Sequence, residues 1–430
     1  MKSTRLVRTQ GNATLQKFEL LAIAQYFIFK FMEPAQAIAT AVQRLYDTYP
    51  FPPDPLLDDP PPGYNWRWNW PAAYSFCTGQ KPTKQAVRIL DAGCGTGVGT
   101  EYLAHLNPQA AVVAIDLSPG ALAVAKQRCQ RSGATNVEFH NLSLYQVDQL
   151  PDVFDLINCV GVLHHLPDPI QGIQALAPKL AAGGLMHLFV YGELGRWEIK
   201  LMQQAIALLQ GDKRGDYPDG VKLGRQIFAS LPENNRLLKR ERERWSLENQ
   251  RDECFADMYV HPQEIDYNIN SLFELIDASG LDFLGFSNPR TWQLERLLAK
   301  EPDLIEQAQN LSIIQQYRLI ELLDPEAATH YEFFLGRQPL PKPDWTLDQA
   351  LLTAIPELNP CIDGWPGKCL FNYDYQIVNL SEAEFAFLQT CAANCPAKAR
   401  TIREILGEVP LDLSRVRSLV EQQLILLTPG

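Results

Sequence analysis

Long apolar runs, basic charge and paired cysteines are what this 430-residue sequence has least of, and each shortage removes a class of function. Phe18–Phe31 is the apolar stretch nearest the start, but Glu19, Gln25 and Lys30 interrupt it and it is too short to span a bilayer. Lys2, Arg5 and Arg8 precede it without a small-residue cleavage site to follow, so residues 1–34 read as an N-terminal extension carrying a surface helix. No transmembrane segment is predicted elsewhere. Lys and Arg number 38 against 50 Asp and Glu, a formal net charge of −12. That balance argues against a general nucleic-acid binder, whose affinity rests on a surplus of cations. The nine cysteines are odd in number and scattered, so reduced thiols and a cytoplasmic location are expected. Cys361, Cys369, Cys391 and Cys395 lack the C-x2-C pairing of a zinc site, and no metal is predicted. No internal repeat is evident.

Two nucleotide signatures are missing as well. A dinucleotide fold uses G-x-G-x-x-G, but in either frame the third position falls on Val98 or Thr100. A P-loop would end in Gly-Lys-Ser/Thr, which is absent. What stands there instead is Ile89-Leu90-Asp91-Ala92-Gly93-Cys94-Gly95-Thr96-Gly97: the end of a buried strand, an acid, three glycines at every second position, then helix-compatible sequence. Glycines at a strand-to-helix turn permit a tight bend and let a ligand approach main-chain N–H groups.

The surroundings repeat the strand–helix alternation. A helix over Gly99–Leu106 precedes a second buried strand, Ala111–Ile115, closing on Asp116. A carboxylate at that tip suits both ribose hydroxyls of a nucleotide. Ser118 and Pro119 start a helix that Gly133 stops. Strands are expected over Asn136–His140 and Val153–Cys159, and a fifth over Leu185–Tyr191 after Gly183-Gly184. Five strands alternating with helices predict an α/β, doubly wound parallel sheet with the ligand over the strands' carboxyl ends.

Asp-x-Gly-x-Gly-x-Gly, Asp116, the Val162-Leu163-His164-His165-Leu166-Pro167-Asp168-Pro169 block and Gly183-Gly184 resemble the successive landmarks of class I S-adenosylmethionine-dependent methyltransferases of bacterial type. A weaker match adds Asp257-x-Tyr259-x-His261-Pro262, a late helix over Leu272–Gly280 and a sixth strand, Phe283–Phe286; His330–Leu335 would be the seventh, antiparallel strand. The resemblance implies a Rossmann-like, seven-stranded sheet over about 35–340, with its core over 85–192. It implies S-adenosyl-L-methionine as cofactor and transfer of a methyl group by in-line displacement to an unidentified small-molecule or protein acceptor. On the same grounds Asp91 and the backbone of Gly93, Cys94, Gly95 and Gly97 would hold the methionine end, and Asp116 with Leu117 the ribose. Asn141 or Ser143 would meet the adenine, and Leu142 and Val160 would also line the cofactor site. Many members carry an acid just after the third strand; this chain has Asn141-Leu142-Ser143 there, so Asn141 or Ser143 would have to serve. His164, His165 and Tyr191, past the fourth and fifth strands, are the candidate catalytic residues. The histidine pair also has a plain packing role open to it. Two alternatives remain: a catalytically silent cofactor-binding regulator, and a nicotinamide oxidoreductase, which the glycine spacing disfavours.

Three further regions carry expectations. Tyr49–Pro55 and Trp66-Arg67-Trp68-Asn69-Trp70 form an aromatic and proline-rich arm; extended, its alternating tryptophans would line one side as a cofactor cover or a buried strap. Asp257, Tyr259 and His261 would share one face of an extended segment. A helical insertion over 192–270 would shape the acceptor pocket, with Arg236–Arg244 as a solvated helix of i,i+4 pairs, and a second helical pair is expected over Trp292–Leu323. Past Pro339-Leu340-Pro341-Lys342-Pro343, residues 344–430 form a small winged-helix-like C-terminal domain. Acids outnumber bases in it, so partner docking or packing is expected rather than DNA reading.

Overall fold

A computed structural model describes residues 35–394 and 399–430; the helix expected over Phe18–Phe31 lies outside them. Helix α1 occupies 35–48, and an irregular strap leads from it to a 3-10 turn at Trp66–Trp68 and helix α2 (Trp70–Thr78). Strand and helix then alternate: β1 (Arg88–Ala92), α3 (Val98–Leu106), β2 (Ala111–Asp116), α4 (Pro119–Ser132), β3 (Val137–Asn141), β4 (Phe154–Val160), α5 (Pro169–Leu176) and β5 (Leu180–Tyr191). Helices α6 (Trp197–Gln210), α7 (Tyr217–Ser230), α8 (Arg236–Arg240), α9 (Asp252–Tyr259) and α10 (Ile269–Ser279) follow. After β6 (Asp282–Phe286) come α11 (Glu295–Leu298), α12 (Pro302–Gln309), α13 (Ile313–Leu323) and β7 (His330–Gly336).

The strands form one seven-stranded sheet in the order β3-β2-β1-β4-β5-β7-β6, with β7 antiparallel to both neighbours and the rest parallel. Strand order reverses between β1 and β4, which opens a crevice at their carboxyl ends. The punctuation read from the sequence acts as expected. Ser118 Oγ accepts from the Ala121 N–H, and Gly133 closes α4 in the left-handed conformation. The start of β5 differs: Leu180 already pairs with Phe154, and an irregularity before the Leu156–Leu185 pair takes up Ala181–Gly184, with Gly183 at φ 74° making the bend.

Side chains of neighbouring parallel strands in register share a sheet face. Leu90, Ile157 and Met186 face one core with α5 and α10; Ile89, Leu156 and Leu185 face the other, where Trp66 and Trp70 pack. The tryptophans do not line one side, because the segment is a 3-10 turn running into a helix rather than a strand. Each indole N–H goes elsewhere: Trp66 donates to the Tyr373 carbonyl, Trp68 to Asn158 Oδ1 and Trp70 to the Lys84 carbonyl.

The charged run Arg236–Arg244 also departs from expectation. Helix α8 ends in a π-helical turn over Glu241–Trp245, which rotates the side chains onto other elements. Arg240 pairs with Glu198 at 2.8 Å, and Glu241 is buried against Asn249 and Tyr259. The C-terminal segment has its own core, built from Leu351, Phe387, Leu388, Val416 and Leu427 among others. Its last strand, β11 (Ile425–Thr428), pairs with β8 (Ile355–Leu358), while β9 (Cys369–Phe371) and β10 (Ile377–Asn379) form a separate hairpin. It is tied to the rest of the chain by Lys81, whose N–H donates to Leu427 and whose ammonium meets Glu357 at 2.5 Å.

Candidate active site

Over the carboxyl ends of β1, β2 and β4 lies a cavity of about 430 Å³. Gly93, Cys94 and Gly95 line one wall, Asp116 and Leu117 the tip of β2, Leu142 and Ser143 the turn after β3, and Val160 the end of β4; Asp91 lies at its floor. Asp116 is half-buried at the end of β2, and desolvation there pushes its carboxyl up against the N–H donors of Ser118, Gly95 and Leu117. The Gly95 N–H reaches Oδ2 and the Ser118 N–H Oδ1, each at 2.8 Å. The acid therefore both shapes the glycine loop and presents its remaining lone pairs to the cavity.

Three predicted residues do not line the cavity. Gly97, at φ 82°, caps α3, and a Cβ there would meet Ala125 Cβ at 2.7 Å, so its job is close helix packing. Asn141 turns its amide inward to donate to the Asp116 and Leu117 carbonyls at 3.0 and 2.9 Å, bracing the tip of β2. His164 is fully buried behind His165 and Tyr191, with ring centroids 4.2 and 4.0 Å away and no hydrogen bond at either nitrogen. Burial drives its imidazole well below the usual range, so it packs there as a neutral ring.

Asp91 belongs to a polar row that strand register assembles. Asp91, Asn158 and His187 are register neighbours on β1, β4 and β5. Asp91 accepts from Thr100 Oγ1 at 2.5 Å and Asn158 Nδ2 at 2.8 Å; Asn158 Oδ1 faces Trp68 Nε1 and His187 Nδ1, and His187 Nε2 lies 3.1 Å from Glu332. Arg67 closes the row on Glu332 at 2.7 Å. Burial opposes ionisation of Glu332, yet His187, Arg67 and the Ser287 hydroxyl together bring its carboxyl down to about 2. Its stabilisation is thus present above the ordinary glutamate range and lost as pH falls toward 2. Glu332→Gln should lower stability by about 3–5 kcal/mol at neutral pH, the usual cost of breaking a buried pair. Urea melts should show the gap to wild type narrowing below about pH 4.

The strap roofs the cavity. Phe51 and Pro52 line it, and their carbonyls accept from Thr96 N and Oγ1 at 3.1 and 2.6 Å. Arg128, a fully buried side chain of α4, donates to the carbonyls of Thr96, Pro55 and Asp54. From α1, Tyr46 also lines the cavity, and Asp47 accepts from Ser118 Oγ at 2.5 Å. Nothing in the α1 sequence marked Tyr46 or Asp47; Thr100 and Asn158 sit inside the expected first helix and fourth strand but have no pattern of their own.

A second chamber of about 1000 Å³ adjoins the first and shares Phe51, Pro52, Phe189, Tyr191 and Asp257 with it. The insertion supplies much of its wall, including Arg244, Trp245, Arg251 and Met258. Asp257 and Tyr259 are helical, not extended, so they point apart: Tyr259 turns to Glu241, while His261, just past the end of α9, meets Asp257. Asp257 accepts from Tyr46 Oη at 2.9 Å and lies 3.5 Å from Tyr191 Oη. Burial pushes its carboxyl up to about 6 despite the two tyrosines and Arg196. His165, Asp257 and His261 bring ligand-type atoms within 4.8 Å of one another. They make a poor metal set: the Gln263 N–H donates to His261 Nδ1 at 3.1 Å, so the ring proton sits on Nε2 and leaves it no lone pair.

The Methyltransferase domain family profile matches residues 90–186, the span from β1 to β5 that builds the cavity. That span is a methyltransferase domain of the class I S-adenosylmethionine-dependent type. The cofactor of that family is S-adenosylmethionine. An uncharacterized protein of Synechococcus sp. is 59% identical over 412 residues, covering 96% of this chain and 98% of the relative, and the two belong to one family. The uncharacterized phycocyanin operon protein W of Pseudanabaena tenuis is 76% identical over 94 residues, 22% of this chain and 89% of that protein. Among solved structures, PKMT2 from Rickettsia typhi in complex with AdoHcy superposes with a TM-score of 0.58 at 16% identity, covering 86% of this chain and 77% of that one, a likeness of fold.

Proposed function

We propose that this methyltransferase-family chain transfers a methyl group from S-adenosylmethionine to an acceptor held in the second chamber. The observation that carries the reading is the junction: the cofactor-type cavity, with Asp116 at one end, meets the larger chamber at Asp257 and Tyr191 at the other. The residues present fit the cofactor. A cavity of about 430 Å³ lies in the range of small-molecule sites. Asp116 would hold the ribose hydroxyls, Asp91 and the Gly93–Gly95 backbone the methionine end, and Leu142, Ser143 and Val160 the adenine. When bound, the sulfonium supplies an activated methyl group, so the protein has mainly to orient the nucleophile, exclude water and manage a proton. Orientation alone contributes roughly 7–11 kcal/mol to such reactions. The strap and α1 exclude water from above, and Phe189 and Tyr191 wall the passage to the chamber.

The acceptor is a small molecule or a protein side chain that reaches through the chamber. The relative named for the phycocyanin operon makes phycocyanin one acceptor to include in a screen. Calorimetric titration with S-adenosylhomocysteine tests the cofactor half, with one-to-one saturable binding expected. Labelled methyl donor, incubated with the protein and small-molecule fractions of a Synechococcus extract, tests the acceptor half. Binding without any transfer would favour the silent regulator over the enzyme, and no binding in folded protein would overturn both.

A further inference from the structure

We infer that Asp257 takes the proton from the acceptor and that the acceptor's nucleophile is an uncharged hydroxyl or N–H group; this rests on the methyltransferase reading above. The geometry converges on one point. Asp257 lines both the cofactor cavity and the chamber. His165 lines the cavity beside it, and the Gln263 carbonyl accepts from its Nδ1 at 2.9 Å, which fixes the proton on Nδ1 and leaves the Nε2 lone pair for the cavity. The same Gln263 residue, through its N–H, fixes the opposite tautomer on His261, whose ring stacks on His165 at 3.7 Å. His261 is therefore a positioning residue: it holds the His165 ring flat, and its buried Nε2–H has no partner of its own.

Two acceptors, the Asp257 carboxylate and His165 Nε2, thus face the place where the nucleophile must stand. That arrangement suits a group with a hydrogen to give. A cationic ammonium fits less well: it has no lone pair to attack with until it is deprotonated, and the Arg196 guanidinium, paired with Glu264 at 3.2 Å, already lies 3.5 Å over the Tyr191 ring. The bond formed joins the nucleophile to the methyl carbon, and the bond broken is the sulfonium S–CH3 bond, whose electron pair stays on sulfur. The nucleophile's proton passes to Asp257 and from there to solvent through the chamber. With its carboxyl raised by burial to about 6, Asp257 is ionised at neutral pH yet basic enough to accept it.

The nature of the labelled bond tests the acceptor class, whichever molecule in the extract is methylated. Product formed in Synechococcus extract should resist mild alkali and release its label either as methyl iodide in hydriodic acid, marking a methyl ether, or as methylamine on acid hydrolysis, marking an N-methyl amide. Label in a methyl ester, a sulfonium or a methylated amine would overturn the inference. Asp257→Asn should cut turnover at least a hundredfold while S-adenosylhomocysteine affinity stays within about threefold, as expected for loss of a proton acceptor. Full turnover in that variant would overturn the role of Asp257. Nitrogen-15 spectra of the histidines in the unliganded protein supply a readout independent of activity: His165 should carry its proton on Nδ1 and His261 on Nε2. The reverse pattern at His165 would remove the second acceptor and with it the geometry. Failure of the methyltransferase reading would show differently, as loss of cofactor binding or of all transfer.

Discussion

Asp116→Ala is expected to abolish measurable binding of S-adenosylhomocysteine while the protein keeps a cooperative melting transition. The carboxylate sits at the tip of β2, where it accepts from the Gly95 and Ser118 N–H groups and faces the cavity. Two charge-assisted hydrogen bonds to ribose hydroxyls contribute about 1.5–3 kcal/mol each. Their joint loss corresponds to at least a hundredfold in affinity at about 1.4 kcal/mol per decade. The variant also frees the Gly95 N–H, so the glycine loop loses its brace and the loss should exceed the ribose share alone. The fold should survive, because β2 is held by its pairing with β1 and β3 and its apolar residues Val112 to Ile115 remain buried. Calorimetry on the variant beside a thermal melt decides it. Unchanged affinity would remove Asp116 from the ribose site.

Arg128→Met should be the most destabilising single change in the roof. The guanidinium, buried within the protein, is shared among the carbonyls of Thr96, Asp54 and Pro55, and Glu101 lies 3.5 Å away. Methionine fills much of the same volume but leaves those carbonyls and a buried carboxylate without a donor. Removing one partner of such an arrangement costs about 3–5 kcal/mol. The strap would lose its tether to α4 at Asp54 and Pro55 and keep, at the glycine loop, only the Thr96 contacts to Phe51 and Pro52. The expected result is a lower urea midpoint together with faster protease cleavage between residues 51 and 60. Cleavage at the wild-type rate would mean that Thr96, Arg251 at the Pro53 carbonyl and Arg131 at Asp58 hold the strap without Arg128.

Much of the cofactor side was legible because its determinants are local. A strand, an acid and alternate glycines must lie within a few residues of one another for the β1–α3 turn to form, and Ser118-Pro119 and Gly133 punctuate α4 through contacts within one helical turn. Asp257 was noticed for the wrong geometry: an extended reading grouped it with Tyr259, whereas the helix separates those two and the chain leaving it brings His261 back to Asp257. His164 matched the motif and Asn141 stood where the family carries an acid, but both turn away from the cavity, a choice made by tertiary contacts with Tyr191 and with the β2 tip.

By itself the sequence determined five strands alternating with helices, the acid-and-glycine turn and the acid at the second strand tip. Each of these depends on periodicity or on neighbours a few positions apart. Only the tertiary structure decided what meets across the chain. Strand register brought Asp91, Asn158 and His187 into one row, α4 reached the strap through Arg128, and α1 and α9 delivered Tyr46 and Asp257 to one point. Such contacts join residues tens to hundreds of positions apart, and no local pattern encodes them, because their energy exists only once the intervening chain has packed.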